Sequence, residues 1–340
     1  MKKVLILGGA GFIGFNIAKY LEENRDYEIT IADNLSRGKK DSYLNDLVAK
    51  DNILLIEGDF TKSKTFDLLD NDYDYCYMLA SVVGVNNTLK VPGEIIRINT
   101  SLILNTLEWL KTGSAKNVVF TSTSENYAGT IDEFGYEVPT SEKVPLCITD
   151  IAHPRYTYAV TKMLGESGFL NYGKSYNFKT TIVRYHNVIG PRMGFKHVIP
   201  HLAERFIINK ENPFKVYGFD QTRSFCYITD AVIGTVLAME SNKSDGEIYH
   251  LGSDEEISIE QLIKASGSYF NFTGDYENAS TFPGSTMRRC PNISKARKHL
   301  GYNPEVKWEE ALESTLVWYK DFYENGNEAF ESSFEKPENV

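Results

Sequence analysis

Tyr158 and Lys162 stand four residues apart in a run, Tyr156 to Tyr172, whose pattern predicts a helix. Residues at that spacing share a helical face, so a phenol and an ammonium can point the same way. A neighbouring positive charge stabilises tyrosinate and lowers the phenol's pKa. A phenol so tuned can take a proton from a hydroxyl near neutral pH. A second stretch, Thr121-Ser122-Thr123-Ser124-Glu125-Asn126-Tyr127, comes directly after a short apolar run, and Thr123 offers a hydroxyl to bridge the tyrosine and its substrate. Tyr156 competes for the phenol's role but has no lysine four residues on. A tyrosine and a lysine four apart are common by chance, so the pair gains meaning only beside a group that accepts what an alcohol loses with its proton.

The N-terminus supplies the signal for such a group. Val4 to Leu7 is a continuous apolar run, Gly8, Gly11 and Gly14 come next, and Phe12 to Leu21 reads as an amphipathic helix. Strand, glycine turn and helix together place a pyrophosphate on a helix N-terminus. Gly8 allows the tight turn, Gly11 lets backbone N–H groups approach phosphate, and Gly14 lets the helix lie close to the strand. Asp33 ends a second apolar strand, Glu28 to Ala32, nineteen residues past Gly14. A carboxylate there accepts both hydroxyls of an adenosine ribose and repels a 2′-phosphate, which favours NAD over NADP. Arg37, Lys39 and Lys40 lie close behind and offer the opposing case, a phosphate grip. Gly58-Asp59-Phe60 and Leu79-Ala80-Ser81 sit at two further strand ends. There Asp59 can hydrogen-bond adenine and Phe60 can line its pocket. Lys162 can hold the nicotinamide ribose, and the charge of an oxidised nicotinamide adds to that of Lys162 in acidifying Tyr158.

These groups need a frame. Strand patterns recur at Ile53–Glu57, Tyr75–Leu79, Val118–Thr121 and Thr180–Arg184, with helical patterns at Glu94–Lys111 and Tyr156–Tyr172 between them. That alternation predicts a doubly wound parallel α/β sheet, a Rossmann fold. Ligands gather at the carboxyl ends of its strands. Past Arg184 the rhythm loosens, with helices at Ile228–Ser241, Ile257–Phe270 and Trp308–Tyr323 and a short strand at Ile248–Leu251. The expected division is a dinucleotide domain over 1–185, with return segments near 226–252. A smaller mixed α/β lobe over 186–325 and a flexible acidic tail over 326–340 complete it. At 340 residues and 42% apolar content the chain has the make-up of a globular protein with a large core and a smaller lobe. A net charge of −10 argues against a nucleic-acid or anionic-membrane partner. Cys76, Cys147, Cys226 and Cys290 are too scattered for a zinc site or a disulfide frame and read as reduced thiols of a cytoplasmic protein. No metal site is expected.

The pieces together resemble the extended short-chain dehydrogenase/reductase family, in its branch that modifies nucleotide-activated sugars. The resemblance runs from Lys2 to about Trp318. It rests on Gly8-Gly9-Ala10-Gly11-Phe12-Ile13-Gly14, Asp33-Asn34, Gly58-Asp59, Asn99, Thr123 with Tyr127, and Tyr158 with Lys162. It continues through Arg184-Tyr185-His186-Asn187-Val188-Ile189-Gly190-Pro191-Arg192, Tyr217-Gly218, Gln221–Phe225 with Asp230, and Arg288-Arg289. The resemblance implies a catalytic set of Thr123, Glu125, Tyr158 and Lys162. It also implies cofactor contacts by Phe12, Ile13, Asn34, Leu79, Ala80, Ser81, Asn99, Thr121, Tyr185 and Val188, beside the glycines, Asp33, Asp59, Phe60, Tyr158 and Lys162. Ser124, Glu125, Asn187, Arg192, Arg223 and Arg289 would meet a nucleotide-diphosphate sugar, the guanidinium groups matching phosphate bidentately. Tyr158 would remove the proton from the C4 hydroxyl as hydride passes to NAD, leaving a 4-keto sugar.

The fate of that ketone is open at this level. An epimerase or dehydratase is the leading expectation, because Glu125 can take the acidified C5 proton. Pro154-Arg155 and Gln221–Phe225 resemble UDP-glucuronate decarboxylases, whereas Ser81-Val82-Val83-Gly84 and Tyr185-His186-Asn187-Val188-Ile189 depart from them. Ala128 stands where the wider family has glycine. A net C4 dehydrogenase, an oxidoreductase on a non-nucleotide substrate and a non-catalytic NAD sensor on the same fold are the alternatives. The two long helices predict a homodimer, as such helices pair across a two-fold axis in similar proteins.

Overall fold

Strand runs without polar alternation must be covered on both faces. In the computed structural model, which describes residues 1–36, 40–281 and 285–326, they form one sheet. Its strands are β1 (Lys2–Leu7), β2 (Tyr27–Asp33), β3 (Ile53–Glu57), β4 (Tyr73–Met78), β5 (Ala115–Thr123), β6 (Lys179–Tyr185) and a last strand, Glu247–Leu251. The order is Glu247–Leu251, β6, β5, β4, β1, β2, β3, and every neighbouring pair is parallel. The helices between strands are α1 (Phe12–Asn24), α2 (Ser42–Val48), α3 (Val85–Lys90), α4 (Pro92–Leu110), α5 (Ala128–Phe134) and α6 (Thr157–Tyr176).

Alternate residues of β1 serve opposite faces. Val4 and Ile6 pack with Ile17, Ala18 and Leu21 of α1 and with Val232 and Val236 of the helix Ile228–Glu240. Leu5 and Leu7 pack with Leu102, Ile103 and Leu107 of α4 and Phe169 of α6. A third core, from Ile189 and Phe195 through Leu262 to Tyr319, belongs to the later chain. Small sheets organise that region. In one, Thr222–Ser224 lies between Glu256–Ser258 and Arg288–Arg289, which brings Arg223 level with Arg289.

The expected long elements are present, with ends shifted. β5 runs from Ala115 rather than Val118 because its early residues already pair with the neighbouring strands, Ala115 opposite Tyr73 and Asn117 opposite Lys179. A 3₁₀ turn over Pro154–Tyr156 leads into α6, so Tyr158 lies in the helix's first turn. The short helices α2, α3 and α5 carry too little apolar periodicity to be read in advance. Arg37, Lys39 and residues 327–340 of the expected tail lie outside the described residues. Lys40 pairs with Glu57 at 2.9 Å. Among the described residues no helix is long and apolar enough to cross a membrane, no acidic, histidine or cysteine group is arranged to hold a metal, and the four cysteines are free.

Candidate active site

The chain turns outward from β1 to β2 and β3, then returns to β4 on the other side. At this reversal the β1 and β4 ends diverge. Gly8 (φ +82) lies so close to the next loop that a Cβ there would meet Ala80 N at 2.7 Å, and one on Gly14 would collide with the Gly8 carbonyl. A Cβ on Gly11 would meet only the Gly8 carbonyl, at 3.3 Å. Gly11 is also the residue that starts α1, with no side-chain cap and no acid in the first turn. The first N–H groups of α1 are therefore left for an anion.

A cavity of about 940 Å³ opens over this point. Gly8, Gly11, Phe12, Ile13, Gly14, Asp33 and Asn34 line it, as do Asp59, Phe60, Leu79, Ala80, Ser81 and Thr121. Asp33 is fixed by the N–H groups of Ala10 (3.1 Å) and Leu35 (2.8 Å). Uncapped N–H groups beside a fixed carboxylate at the next strand end suit the pyrophosphate and ribose of a dinucleotide. Asp59 is engaged locally: one oxygen accepts from Thr61 N–H and hydroxyl, at 3.1 and 2.7 Å. Asn99 is not in the cavity wall. It is 1% exposed, and its amide binds both the N–H and the carbonyl of Val82 (2.7 and 3.1 Å), fixing the loop Ser81–Gly84 from behind.

The reactive pair stands further along. Tyr158, Lys162, Thr123, Ser124 and Glu125 share the cavity wall with Tyr185, Asn187, Val188, Arg155 and Arg289. Lys162 donates to the Thr121 carbonyl at 2.7 Å and lies 5.7 Å from the Tyr158 ring centre. Burial pushes its pKa down to about 7, against the opposing field of Glu166. Glu166, one turn further along α6, is itself buried. It accepts from Ser122 (2.5 Å) and Asn126 (2.9 Å) and forms a two-pronged pair with Arg184 (2.8 and 2.7 Å). These bonds fix both sides of the turn that carries Thr123 and Glu125. Thr123 Oγ1 in turn accepts from Glu125 N–H.

Glu125 faces two arginines, Arg289 at 2.5 Å and Arg155 at 3.9 Å. Burial alone would raise its pKa, but the arginines prevail and hold it below the usual carboxylate value. Arg289 also donates to Thr286, and its Nε, like that of Arg155, is buried without a partner among the described residues. Arg223 stands behind this wall rather than in it, bonded to the Thr222 carbonyl and Gln221. Burial and the neighbouring Arg289 bring its pKa to about 9. Asn187 donates to the Ser224 carbonyl, and Tyr185 meets Thr235 at 2.7 Å. Arg192 lines the cavity on the α1 side, held by Asp41 at 2.8 Å. His186 is buried against Tyr127 and His250, and burial keeps both histidines neutral.

Sequence reasoning assigned no role to Arg155, Glu166, Arg184 or Asp41. Glu166 had a usable signal, since it continues the four-residue spacing of Tyr158 and Lys162. Asp41 and Arg192 are brought together only by the fold.

Comparison with known proteins agrees with this arrangement. Residues 4–252 match the NAD dependent epimerase/dehydratase family. The UDP-N-acetyl-alpha-D-glucosaminuronate decarboxylase of Bacillus cytotoxicus is 32% identical over 332 residues, covering 94% of this chain and 98% of that protein. The human dTDP-D-glucose 4,6-dehydratase is 28% identical, over 95% of this chain and 91% of its own. The crystal structure of UDP-glucuronic acid 4-epimerase from Bacillus cereus, in complex with UDP-glucuronic acid and NAD, superposes with a TM-score of 0.82 at 26% identity. It covers 94% of this chain and all of that one. With a turn, a cavity and a Tyr–Lys face of this form, and with these relatives, the chain belongs to the NAD dependent epimerase/dehydratase family.

Proposed function

We propose that this chain uses NAD to remove the carboxylate of a nucleotide-linked uronic acid through a 4-keto intermediate. NAD would lie along the groove, its pyrophosphate on the α1 N-terminus and its adenosine ribose on Asp33. Bound there, it supplies the site that takes up and returns the C4 hydride. Tyr158 takes the proton of the C4 hydroxyl, Thr123 bridges to that oxygen, and protonated Lys162 stabilises the tyrosinate.

The observation that carries the choice of exit is the arginine-flanked Glu125: Arg155 and Arg289 both line the cavity beside it, so positive charge exceeds negative on that wall. Such a wall suits a second carboxylate, that of the sugar. In a 4-keto uronate the carboxylate is β to the ketone. The C5–C6 bond breaks, carbon dioxide leaves, and the electron pair passes to the C4 oxygen beside Tyr158 and Thr123. Water supplies the proton that C5 then takes. Dehydration instead needs an acid to protonate a departing hydroxyl, and position 124 beside Thr123 is a serine. Asn187 would meet the diphosphate side of the substrate, with the charge of Arg223 behind the wall adding to the attraction.

The division of the chain accords with this chemistry. Residues 1–185 with the return near 226–252 hold the cofactor, and 186–325 form the lobe over the sugar nucleotide. On the paired helices α4 and α6, Ile96, Leu104, Val160 and Leu164 are exposed, and a two-fold pairing into a homodimer would cover them. Free thiols fit a cytoplasmic enzyme, and its product fits polysaccharide synthesis.

The test is mass spectrometry of products from UDP-glucuronate, UDP-N-acetylglucosaminuronate, UDP-glucose and dTDP-glucose. Loss of carbon dioxide from a uronate is expected. Loss of water, or an isomer of unchanged mass, from a neutral hexose would overturn this exit. Light scattering at the monomer mass would overturn the dimer.

A further inference from the structure

We propose that His186 is a positioning residue: through its bond to Tyr127 it sets the spacing between the turn that carries Thr123 and Glu125 and the segment that carries Asn187. The proposal rests on a sugar nucleotide lying between those groups. The ladder between β5 and β6 ends at Thr123 opposite Tyr185. Glu125 and Asn187 both lie past that last pair. There the Tyr127 hydroxyl meets His186 Nε2 at 2.9 Å. Both residues are 0% exposed, so water does not compete for the bond.

Each end of this link is fixed in turn. The His186 N–H donates to the Leu251 carbonyl at 3.0 Å, and a Cβ on Gly252 would lie 2.7 Å from His186 Cβ. The Tyr127 ring stacks on His250 with centres 5.2 Å apart, and the two histidine rings are 4.8 Å apart. His250 is itself held, its Nδ1 3.2 Å from the Thr140 carbonyl and its backbone N–H on the Glu142 carboxylate. Asn187, next along the chain from His186, lines the cavity. It is a non-glycine residue in the left-handed region (φ +37), a conformation kept where surrounding contacts fix it. Its side chain donates to the Ser224 carbonyl, and His186 anchors the main chain just before it. His186 Nδ1 is buried without a partner among the described residues. A phenylalanine ring would fill the same space without that unmet polar atom. What it would lack is the bond to Tyr127.

The experiment compares wild type, His186→Phe, His186→Gln and Tyr127→Phe. It reads kcat and KM for whichever of UDP-glucuronate, UDP-N-acetylglucosaminuronate, UDP-glucose and dTDP-glucose the wild type converts, and titrates UDP and NAD by calorimetry. Phenylalanine keeps the ring and deletes the bond, whereas the amide at the end of a glutamine side chain can still bond a tyrosine hydroxyl. Losing one neutral hydrogen bond leaves the competent spacing about 3- to 10-fold less populated. A fall in kcat/KM of about that size is expected in His186→Phe and Tyr127→Phe, with partial recovery in His186→Gln. UDP should bind more weakly in the same order, and NAD affinity should stay at the wild-type value. A ring that only fills space would give the reverse order, with His186→Phe close to wild type and His186→Gln the worst, and that order would overturn the proposal. So would wild-type kcat/KM in Tyr127→Phe, which keeps every ring and decides the matter if the His186 variants do not fold. A wild type that converts none of the four sugar nucleotides and does not bind UDP would instead overturn the seating on which the proposal rests.

Discussion

Two carboxylate–arginine pairs flank the turn that carries Thr123, and they are built differently. Glu166 and Arg184 meet through two bonds, take further donors from Ser122 and Asn126, and are 5% and 2% exposed. Glu125 and Arg289 meet through one bond, and the carboxylate is 26% exposed on the cavity wall. The arginine keeps a buried Nε without a partner among the described residues. The first pair has its acceptor capacity filled by the protein and serves as a brace. The second lies on the cavity wall with Arg155 beside it, an excess of positive charge that suits an anion. Each pair is one carboxylate on one arginine, so exposure of the carboxylate to the cavity and the second arginine beside it separate site from scaffold.

That distinction fails if the pairs respond alike to mutation. The largest effect belongs to Glu166→Ala, which strands Arg184 as an unpaired buried charge and should cost about 3–5 kcal/mol in urea unfolding. Glu125→Gln should lower stability by only about 1 kcal/mol, since the glutamine amide oxygen can still accept from Arg289. The stability that the Glu125 carboxylate adds is complete above its unfolded pKa and is lost as pH falls through its lowered folded value. Wild-type and Glu125→Gln unfolding curves should therefore converge in acid.

Lys162 extends the contrast to pH, because Glu166 faces it along α6. An unfolded lysine keeps its proton up to about pH 10.5, whereas the folded Lys162 loses it near 7. Between those values the unfolded chain binds more protons, and stability rises with pH by at most about 1.4 kcal/mol per unit. Melting temperature against pH should show that slope in wild type and not in Lys162→Met. The smallest effect is that of Ser122→Ala, which removes one of the neutral donors to Glu166 and should cost about 1 kcal/mol.

The legible parts of this molecule are those governed by short spacing. Gly8 to Gly14, Asp33, and Tyr158 with Lys162 are local patterns whose geometry comes from strand and helix periods, and the structure places all of them on one cavity. Asn99 is the exception: its amide serves the backbone of the loop at Val82 from outside the cavity wall. The Glu125 wall was legible only in part. Its arginines come from positions 155 and 289, on elements whose proximity depends on how the later chain folds back. No local period encodes that, and the same holds for Asp41 with Arg192. Short helices such as α5 escaped because seven residues hold too few turns to show a stripe.

Where Gly8 lies against residues 79 and 80, main chain touches main chain. The floor of the groove is therefore a fixed gauge, indifferent to which amino acids drift around it. Side chains can vary on the rim without disturbing this floor, which is set by main chain alone.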